Sequence, residues 1–234
     1  MATASRPCTA ALTERQEARR RRILDATTRL ACRGGFDAVQ MRGVAEEAEV
    51  ALGTLYRYFP SKVHLLVATM QDQLDGLHAT LRRRPPAGDT PSERVAGTLL
   101  RAFRSLQRDP QLADAMVRAL TFADRGVSGE VETVSRQTTA IILDAMAPHA
   151  APRTPAARTG TPARTGTPAT GTPSLTPQEP TPEQLSAVRV IEHTWHATLI
   201  AWLSGRASVA QVRADIETAS RLLDLTARGV PEPR

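Results

Sequence analysis

The segment from residue 39 to residue 66 constrains the fold more tightly than any other part of the chain. Val44, Ala45 and Ala48 recur at helical spacing and predict a short helix with a small apolar face. Leu52 and Leu55 continue the apolar pattern after a turn and predict a second short helix. Two short helices that meet through small residues are typical of a helix-turn-helix, whose second helix enters the major groove of DNA.

The end of the second predicted helix carries polar groups that suit nucleic acid. Residues 56–58 offer two phenolic hydroxyls and a guanidinium, which can reach phosphate oxygens and base edges. Phe59 and Pro60 predict the end of this helix, because the residue before a proline avoids the α region. We expect Ser61 to cap the next helix, whose first turn carries Lys62, the only lysine of the chain.

The same segment resembles a known family. The run GTLYRYFPSKVHLL, together with Gly34-Gly35-Phe36 and Val44-Ala45 upstream, is similar to the DNA-binding domain of TetR-family repressors. This resemblance implies a regulator that binds double-stranded DNA. We expect Arg42 and Thr54 to reach base edges or nearby phosphates, and Tyr56, Tyr58 and Lys62 to bind the DNA backbone. The full set of candidate operator contacts is Gln40, Arg42, Leu52, Gly53, Thr54, Tyr56, Arg57, Tyr58 and Lys62.

Two positions depart from the family pattern at the starts of the paired helices. Gln40 stands where the family usually has a threonine, and Ala51 where it usually has a serine. Each change removes a short hydroxyl that caps a helix or binds phosphate. The amide of Gln40 can replace the first contact, whereas Ala51 has no donor. DNA binding is therefore expected to depend more on Arg42 and on the segment from Thr54 to Lys62.

The charge of the chain favours a polyanionic partner. The 234 residues carry a formal charge of +6, with a sequence pI near 10.5. Residues 1–64 hold eleven Arg or Lys against seven Asp or Glu, so +4 of this charge belongs to the predicted DNA-binding end. The cluster Arg19 to Arg22 opens the first helix, where it either reaches the DNA backbone or forms a solvated charged face.

Cysteine content and hydropathy indicate the compartment. Cys8 and Cys32 are the only cysteines and do not suggest a disulfide framework. No apolar run approaches the length of a membrane span, and no signal-peptide core follows Met1. The sequence therefore predicts a cytoplasmic protein without a membrane partner.

The chain is predicted to be all-α, because no segment alternates with period two. Capping patterns begin helices at Thr13, Thr90 and Thr181, and Asp109-Pro110 repeats the cap-and-proline arrangement. Gly34-Gly35 is expected to stop the first helix near Arg33, and one last helix is expected over residues 208–227. The expected order is a flexible arm (1–12), an N-terminal three-helix DNA-binding domain (13–60), a ligand-binding helical body (61–147), a linker (148–181) and dimerisation helices (182–227).

The segment 148–181 differs in composition from the rest. ARTGTP occurs twice, and a shortened ATGTP follows. Such Thr/Pro/Gly-rich repeats lack the apolar content that offsets ordering entropy, which predicts a disordered linker. After it, apolar residues recur at every third or fourth position in both C-terminal helices. Two long amphipathic helices suit a two-plus-two bundle between subunits, and a helix-turn-helix that reads a palindrome also requires a homodimer.

The helical body offers an apolar interior and no catalytic constellation, so an enzyme is not predicted. Glu192, His193 and His196 invite a metal interpretation, but two histidines that flank a core tryptophan are more often packing and surface residues. We expect no metal and no cofactor. Apolar side chains that we expect to face the interior and to line a ligand pocket are Met70, Leu74, Phe103, Met116, Leu120, Phe122, Ile142, Met146, Trp195 and Leu199.

A second resemblance concerns the effector. The segments QMRGVAEEAEVALGTLYRYFPSKVHLL, RDPQLADAMVRALTFAD and TWHATLIAWLSGRAS together resemble TetR-family repressors of sterol catabolism in actinobacteria. The resemblance implies a small apolar effector, a sterol-derived or acyl CoA thioester, whose binding releases a palindromic operator. One alternative is a TetR-type repressor that responds to a fatty acyl-CoA or a drug-like apolar compound. Another, of a different class, is an apolar-ligand sensor or carrier without DNA function.

Overall fold

The structure is a computed structural model that describes residues 13–147 and 180–227. Every regular element in these two ranges is helical, which confirms the predicted all-α class. The predicted arm at 1–12 and nearly all of the predicted linker lie outside the described residues. No described helix has the length and hydropathy needed to cross a membrane.

Four helices build the N-terminal end, and each begins or ends close to the predicted position. They are α1 (Glu14–Ala38), α2 (Met41–Glu47), α3 (Leu52–Tyr58) and α4 (Lys62–Arg83). Thr13 forms the predicted capping box with Gln16, and the Ser61 hydroxyl accepts from the His64 amide, as expected for a cap.

The first helix does not stop at Gly34-Gly35 as predicted; it bends there and runs on to Ala38. Gly34 and Gly35 both have non-helical backbone angles, and Gly35 has a φ of +65°. A Cβ on Gly35 would lie 2.9 Å from Oε1 of Gln111. Glycine is therefore needed for the left-handed backbone, and the short distance shows that the bend lies against the helix that begins at Pro110.

Six further helices form the body. They are α5 (Pro91–Arg108), α6 (Pro110–Thr121), α7 (Ser128–Met146), α8 (Pro182–Leu203), α9 (Val209–Ser220) and α10 (Leu222–Ala227), with a short 3₁₀ turn at Arg125–Val127. Thr90 and Thr181 form the predicted capping boxes. Two expectations were wrong: the Asp109 side chain does not cap α6, and the last helix is divided in two at Arg221.

The buried apolar side chains form two clusters. The first contains the interior of α1 to α4 together with Leu112, Met116 and Ala119 of α6. The second joins α5, α7, α8, α9 and α10 around Val188 and Ile191. Since α6 contributes to the cluster that holds the helix-turn-helix, the DNA-binding end and the body share a core across residue 60.

Candidate DNA-binding surface and ligand cavity

An ion-pair clamp fixes α2 against α1. The Glu47 carboxylate accepts from Nε of Arg29 at 2.9 Å and from a terminal guanidinium nitrogen of Arg33 at 2.7 Å. These two hydrogen bonds hold the pKa of Glu47 below its usual range. Both arginines are thus engaged within the protein, and the first helix of the helix-turn-helix is held in one orientation.

The turn between α2 and α3 depends on a left-handed residue. Glu49 has a φ of +53°, and the amide of the next residue, Val50, donates to the Ala45 carbonyl at 2.9 Å. This arrangement reverses the chain within three residues. A side chain other than glycine in this region costs on the order of 1 kcal/mol, which the surrounding packing must offset.

Helix α3 is anchored on one side and open on the other. Leu55 is fully buried in the first cluster, and Leu52 packs against it while half-buried. On the other side Gly53, Tyr56 and Arg57 are exposed, and a Cβ placed on Gly53 would meet no atom within 4 Å. The structure thus presents α3 as a helix anchored at Leu55, with an exposed, partly polar outer face.

The two positions that lack the family hydroxyls are not capped by side chains. Neither Gln40 at the start of α2 nor Ala51 at the start of α3 forms a side-chain cap. The Gln40 amide instead donates to the Asp37 carbonyl at 2.9 Å, at the end of α1. Arg42 is exposed in the first turn of α2. Among the described residues, no cap side chain accepts from the amide protons at these two helix starts.

Tyr58 and Lys62, both half-buried, are engaged by neighbouring helices. The Tyr58 hydroxyl donates to the Gln16 carbonyl across a long distance of 3.5 Å. The Lys62 ammonium lies 3.9 Å from the centre of the Phe36 ring, and burial there lowers the pKa of Lys62. These contacts tie the end of α3 and the start of α4 to opposite ends of α1.

The Phe36 ring also receives a cation from α6. The Arg118 guanidinium lies 4.8 Å from the ring centre and donates to the Asp37 carboxylate at 3.0 Å. Phe122 packs against the same ring, with centroids 5.5 Å apart. This junction joins α1 and α4 of the DNA-binding end to α6 of the body.

A cavity of about 130 Å³ lies between α4, α5, α6 and α8. Its wall is mainly apolar, with Gln73, Ser105 and Asp109 as the polar members. The Asp109 carboxylate lies beside the Cys32 thiol of α1; burial, followed by this neighbouring charge, raises the pKa of Cys32. The apolar lining comes from Met70, Leu74, Leu77, Ala102, Leu106, Leu112, Ala113, Met116, Val117, Trp195 and Leu199.

The structure brings only part of the expected pocket together. Five of the ten expected lining residues border the cavity: Met70, Leu74, Met116, Trp195 and Leu199. The other five lie elsewhere. Phe103 and Ile142 are buried in the second cluster with Met146 against it, and Leu120 packs on the first cluster. Phe122 is 56% exposed, contrary to the expectation that it faces the interior, because it follows the last residue of α6 and turns onto Phe36.

Helices α8 and α9 have a surface with apolar and small side chains that no described residue covers. On α8, exposed residues recur every three or four positions from Ser186 to Ile200, and they include Val190 and Ala197. On α9 the exposed face includes the small residues Ala210, Ala214 and Thr218. Within the described ranges, no three His, Cys, Asp or Glu residues are placed to hold a metal, and the Glu192 carboxylate accepts from Thr139 instead.

Sequence reasoning missed the contacts that position this surface. The Glu47 clamp and the Arg118–Phe36 contact join residues 14 to 82 positions apart, which helical periodicity does not detect. The sequence held one indication of the Glu47 clamp: Arg29 and Arg33 are four positions apart and therefore share a helix face.

Comparison with known proteins identifies the class to which this fold and surface belong. Residues 23–69 match the model of bacterial regulatory proteins of the tetR family. Residues 88–159 and 149–223 match the tetracyclin repressor-like C-terminal domain. Together these matches cover most of the chain, which therefore belongs to the TetR family of transcriptional regulators.

The relatives narrow this class. The repressor KstR of Mycolicibacterium smegmatis is 40% identical over 210 residues, which cover 90% of this chain and 89% of the relative. A TetR regulator from Rhodococcus sp. RHA1 is 34% identical, with a TM-score of 0.72 over 90% of this chain and 97% of that one. FadR of Thermus thermophilus, solved in complex with lauroyl-CoA, shares the fold with a TM-score of 0.61 over 92% and 97% of the two chains, at 18% identity. The chain is thus a KstR-like transcriptional repressor.

Proposed function

We propose that the protein represses transcription as a homodimer that binds a palindromic operator through α3 and the residues around it. The observation that carries this proposal is the combination of a buried anchor at Leu55 with an outer face of α3 that the fold leaves open. Arg42 and Arg57 are exposed beside this face, and the described residues hold no carboxylate within salt-bridge distance of either guanidinium. Uncompensated guanidinium groups at the rim of such a helix suit phosphate oxygens and guanine edges.

Each operator contact has a proposed role. Arg42 and Thr54 reach base edges or nearby phosphates, and Tyr56, Tyr58 and Lys62 bind the sugar-phosphate backbone. The half-buried Leu52 supports α3 and gives at most apolar contact to the groove wall. Since the Gln40 amide already donates within the protein, it contributes to DNA binding only if that hydrogen bond is exchanged for one to phosphate.

The operator can be obtained by selecting duplexes from a randomised pool with the wild-type protein, and its affinity is then measured by gel shift at several salt concentrations. We expect Arg42→Ala and Arg57→Ala to weaken binding, and the loss of a phosphate contact to reduce the salt slope by about 0.9. Arg104→Ala, at an exposed position on α5, is the charge-matched control. Equal binding by all variants would overturn the assigned contacts, and the absence of salt-dependent duplex binding would overturn the function.

We also propose that an apolar thioester releases the operator by entering the cavity between α4, α5, α6 and α8. The apolar wall suits a sterol-derived or acyl group, and Gln73, Ser105 and Asp109 supply the few polar contacts that orient a ligand. Met70 and Met116 allow the wall to adapt to different apolar shapes. The lauroyl-CoA complex of FadR shows that this fold can hold such a molecule.

Helix α6 provides the connection between this cavity and the DNA-binding end. Its residues Leu112, Ala113 and Met116 border the cavity, whereas Arg118 of the same helix holds Phe36 and Asp37 of α1. A ligand that displaces α6 therefore also displaces the bend of α1 and the start of α4. In a dimer, such a shift changes the distance between the two copies of α3, and the dimer no longer matches both half-sites.

Operator release is tested with four probes: cholyl-CoA, lauroyl-CoA, free lauric acid and CoA alone. Release by a thioester but not by CoA supports the proposed class of effector. Whether cholyl-CoA or lauroyl-CoA releases the operator at lower concentration then distinguishes a sterol-derived from a fatty acyl effector. Release by lauric acid alone would favour an apolar compound without CoA. If no probe lowers operator affinity while wild-type DNA binding persists, the effector proposal is wrong.

The second copy of the chain is proposed to cover the exposed face of α8 and α9. Val190 and Ile200 lie exposed there at 47% and 42%, and the small residues of α9 permit close approach of helices. Light scattering should give a dimer for the wild type and a shift towards monomer for Ala214→Glu. Ala79→Glu, at an exposed position on α4, is the matched control that should stay dimeric; a dimeric Ala214→Glu protein would place the interface elsewhere.

A further inference from the structure

Residues 14–22 of α1, named here the α1 extension, carry an excess of positive charge that no described residue neutralises. The extension contains two glutamates and five arginines: Arg15, Arg19, Arg20, Arg21 and Arg22. Among the described residues none of these arginines forms an ion pair, whereas Arg29 and Arg33 of the same helix are both bound to Glu47. Within α1, the arginines without an ion pair are therefore confined to the extension.

The α1 extension is not needed to bury the core. The first buried residue of α1 is Ile23, and the family model of the DNA-binding domain also begins at residue 23. The nine residues before it extend the helix by about 13 Å. An ordered helix of this length without buried residues needs another role, because ordering its backbone and its long side chains costs conformational entropy.

The extension is held beside the proposed operator-binding surface. The Gln16 carbonyl accepts from the Tyr58 hydroxyl at the end of α3, and the Arg20 guanidinium lies 6.0 Å from the centre of the Phe59 ring. Gln16 and Arg20 are four positions apart and thus lie on one side of the helix. That side attaches the extension to α3 and Phe59. Its contacts therefore fix the directions in which the other sides of the extension point.

Charges are segregated on the sides that remain. Arg15, Arg19 and Arg22 are spaced by four and three positions, so they share one side, which carries no acidic residue. Glu14, Glu17 and Arg21 share the other side at spacings of three and four. Only the first of these sides has uniform positive charge, and it therefore has the complementarity that a polyanion requires.

We propose that Arg15, Arg19 and Arg22 bind the phosphate backbone of the DNA that flanks each operator half-site. This inference rests on the proposed operator binding and extends its footprint beyond the contacts of α2, α3 and Lys62. Such contacts carry no base information but fix the orientation of the protein on the duplex and add to its salt dependence. Duplex DNA is the occupant because the extension is continuous with the operator surface through Tyr58.

The experiment compares wild type, the triple variant Arg15→Ala/Arg19→Ala/Arg22→Ala and the control Arg21→Ala on two duplexes. One is the palindrome that the wild type selects from a random pool, with about ten flanking base pairs, one turn, at each end; the other ends at the palindrome. We expect the triple variant to lose between two and three units of salt slope per half-site on the long duplex. A fourfold rise in salt concentration should therefore lower the affinity of the wild type about fortyfold more per half-site than it lowers the affinity of the triple variant.

The short duplex and the control separate the outcomes. On the short duplex the wild type should fall to the affinity and salt slope of the triple variant, while Arg21→Ala should follow the wild type on both duplexes. An unchanged slope in a triple variant that binds the long duplex overturns the flank contact and leaves the proposed function intact. If Arg21→Ala loses as much affinity and salt slope as the triple variant, the effect is one of general charge and the flank contact is overturned. A wild type that binds neither duplex overturns both the flank contact and the proposed function. Circular dichroism verifies that the variants fold.

Discussion

The Lys62 ammonium lies 3.9 Å from the centre of the Phe36 ring, at the point where α1, α4 and α6 meet. The same ring receives Arg118 from the body of the protein. The lysine expected at a DNA phosphate is thus also part of the junction that connects the DNA-binding end to the cavity. A cation over an aromatic face at a partly buried site contributes about 1 kcal/mol, so this contact can compete with a phosphate for the same charge.

Lys62→Ala and Phe36→Leu distinguish the two roles of this lysine. If Lys62 binds phosphate, Lys62→Ala reduces the salt slope of operator binding by about 0.9, because one phosphate contact is lost. Phe36→Leu keeps the charge, so it should lower the melting temperature without changing the slope. Titration across salt and thermal melting measure the two quantities. An unchanged slope for Lys62→Ala with a lowered melting temperature would assign Lys62 to the junction alone.

Glu47 makes the stability of the DNA-binding end depend on pH. Its pKa is depressed in the folded protein, so its contribution is present above the unfolded pKa and disappears as pH falls through the folded pKa. We expect Glu47→Gln to be less stable than wild type at neutral pH. The difference should start to shrink as pH falls below about 4.3 and vanish only below the depressed pKa of folded Glu47. Urea unfolding across pH measures this. Glu46→Gln, at an exposed position without an ion pair among the described residues, should remain close to wild type throughout; a constant deficit in Glu47→Gln would contradict the ion-pair mechanism.

Helix starts were predictable where the chemistry is local. Thr13, Thr90 and Thr181 each bind an amide three residues ahead, so four consecutive residues suffice to recognise them. The predicted cap at Asp109 was wrong because this residue both ends α5 and precedes α6. Its backbone angles of −127° and 67° serve both helices, and its side chain does not reach the α6 amides. At Gly34-Gly35 a helix end was predicted, but the structure has a bend there, and the sequence does not show that α1 continues beyond it to Ala38.

The pocket was predictable only in part, because helical periodicity identifies which residues are buried and not which neighbours they meet. Met116 and Phe103 have equivalent patterns, yet one borders the cavity and the other packs edge-on against Trp202 at 5.0 Å. That difference depends on how α4, α5, α6 and α8 cross. The proposed operator contacts all lie within residues 40–62 and follow a family pattern, so the sequence is enough to propose them. The engagement of Tyr58 and Lys62 with α1 could not be predicted, because it joins residues far apart in sequence.

Gly53 offers a test that separates DNA approach from folding. A Cβ at this position meets nothing in the protein, so Gly53→Ala should raise the free energy of unfolding by a few tenths to about 1 kcal/mol. The added methyl group lies on the face proposed to enter the groove and should weaken operator binding. Gly76→Ala on α4 is the matched control, since its Cβ also meets open space. It should stabilise the protein and leave operator affinity unchanged; equal affinity for both variants would place the DNA away from Gly53.

The two tryptophans allow effector binding to be located. Trp195 borders the cavity, whereas Trp202 packs on Phe103 outside its lining. Trp202→Phe leaves a single emitter at the cavity, and a bound thioester should change its fluorescence with the same midpoint as operator release. Trp195→Phe leaves the emitter outside the lining and should respond weakly. A response confined to Trp195→Phe would place the effector away from this cavity.

Arg94 is a buried arginine whose guanidinium donates hydrogen bonds to backbone carbonyls at the end of α7 and before α5. It donates to the carbonyls of Ala145 and Met146 at the end of α7, at 3.2 and 2.6 Å, and to those of Gly88 and Asp89 before α5, at 3.1 and 3.3 Å. Arg94→Met leaves these carbonyls without their donor and should cost about 2–4 kcal/mol of unfolding free energy. Arg94→Lys should recover little, because one ammonium cannot span both sets of carbonyls. Denaturant unfolding measures both variants, with Arg104→Met at an exposed position of the same helix as control. If Arg94→Met unfolds no more easily than Arg104→Met, solvent satisfies these carbonyls and the guanidinium does not hold the end of α7 to α5.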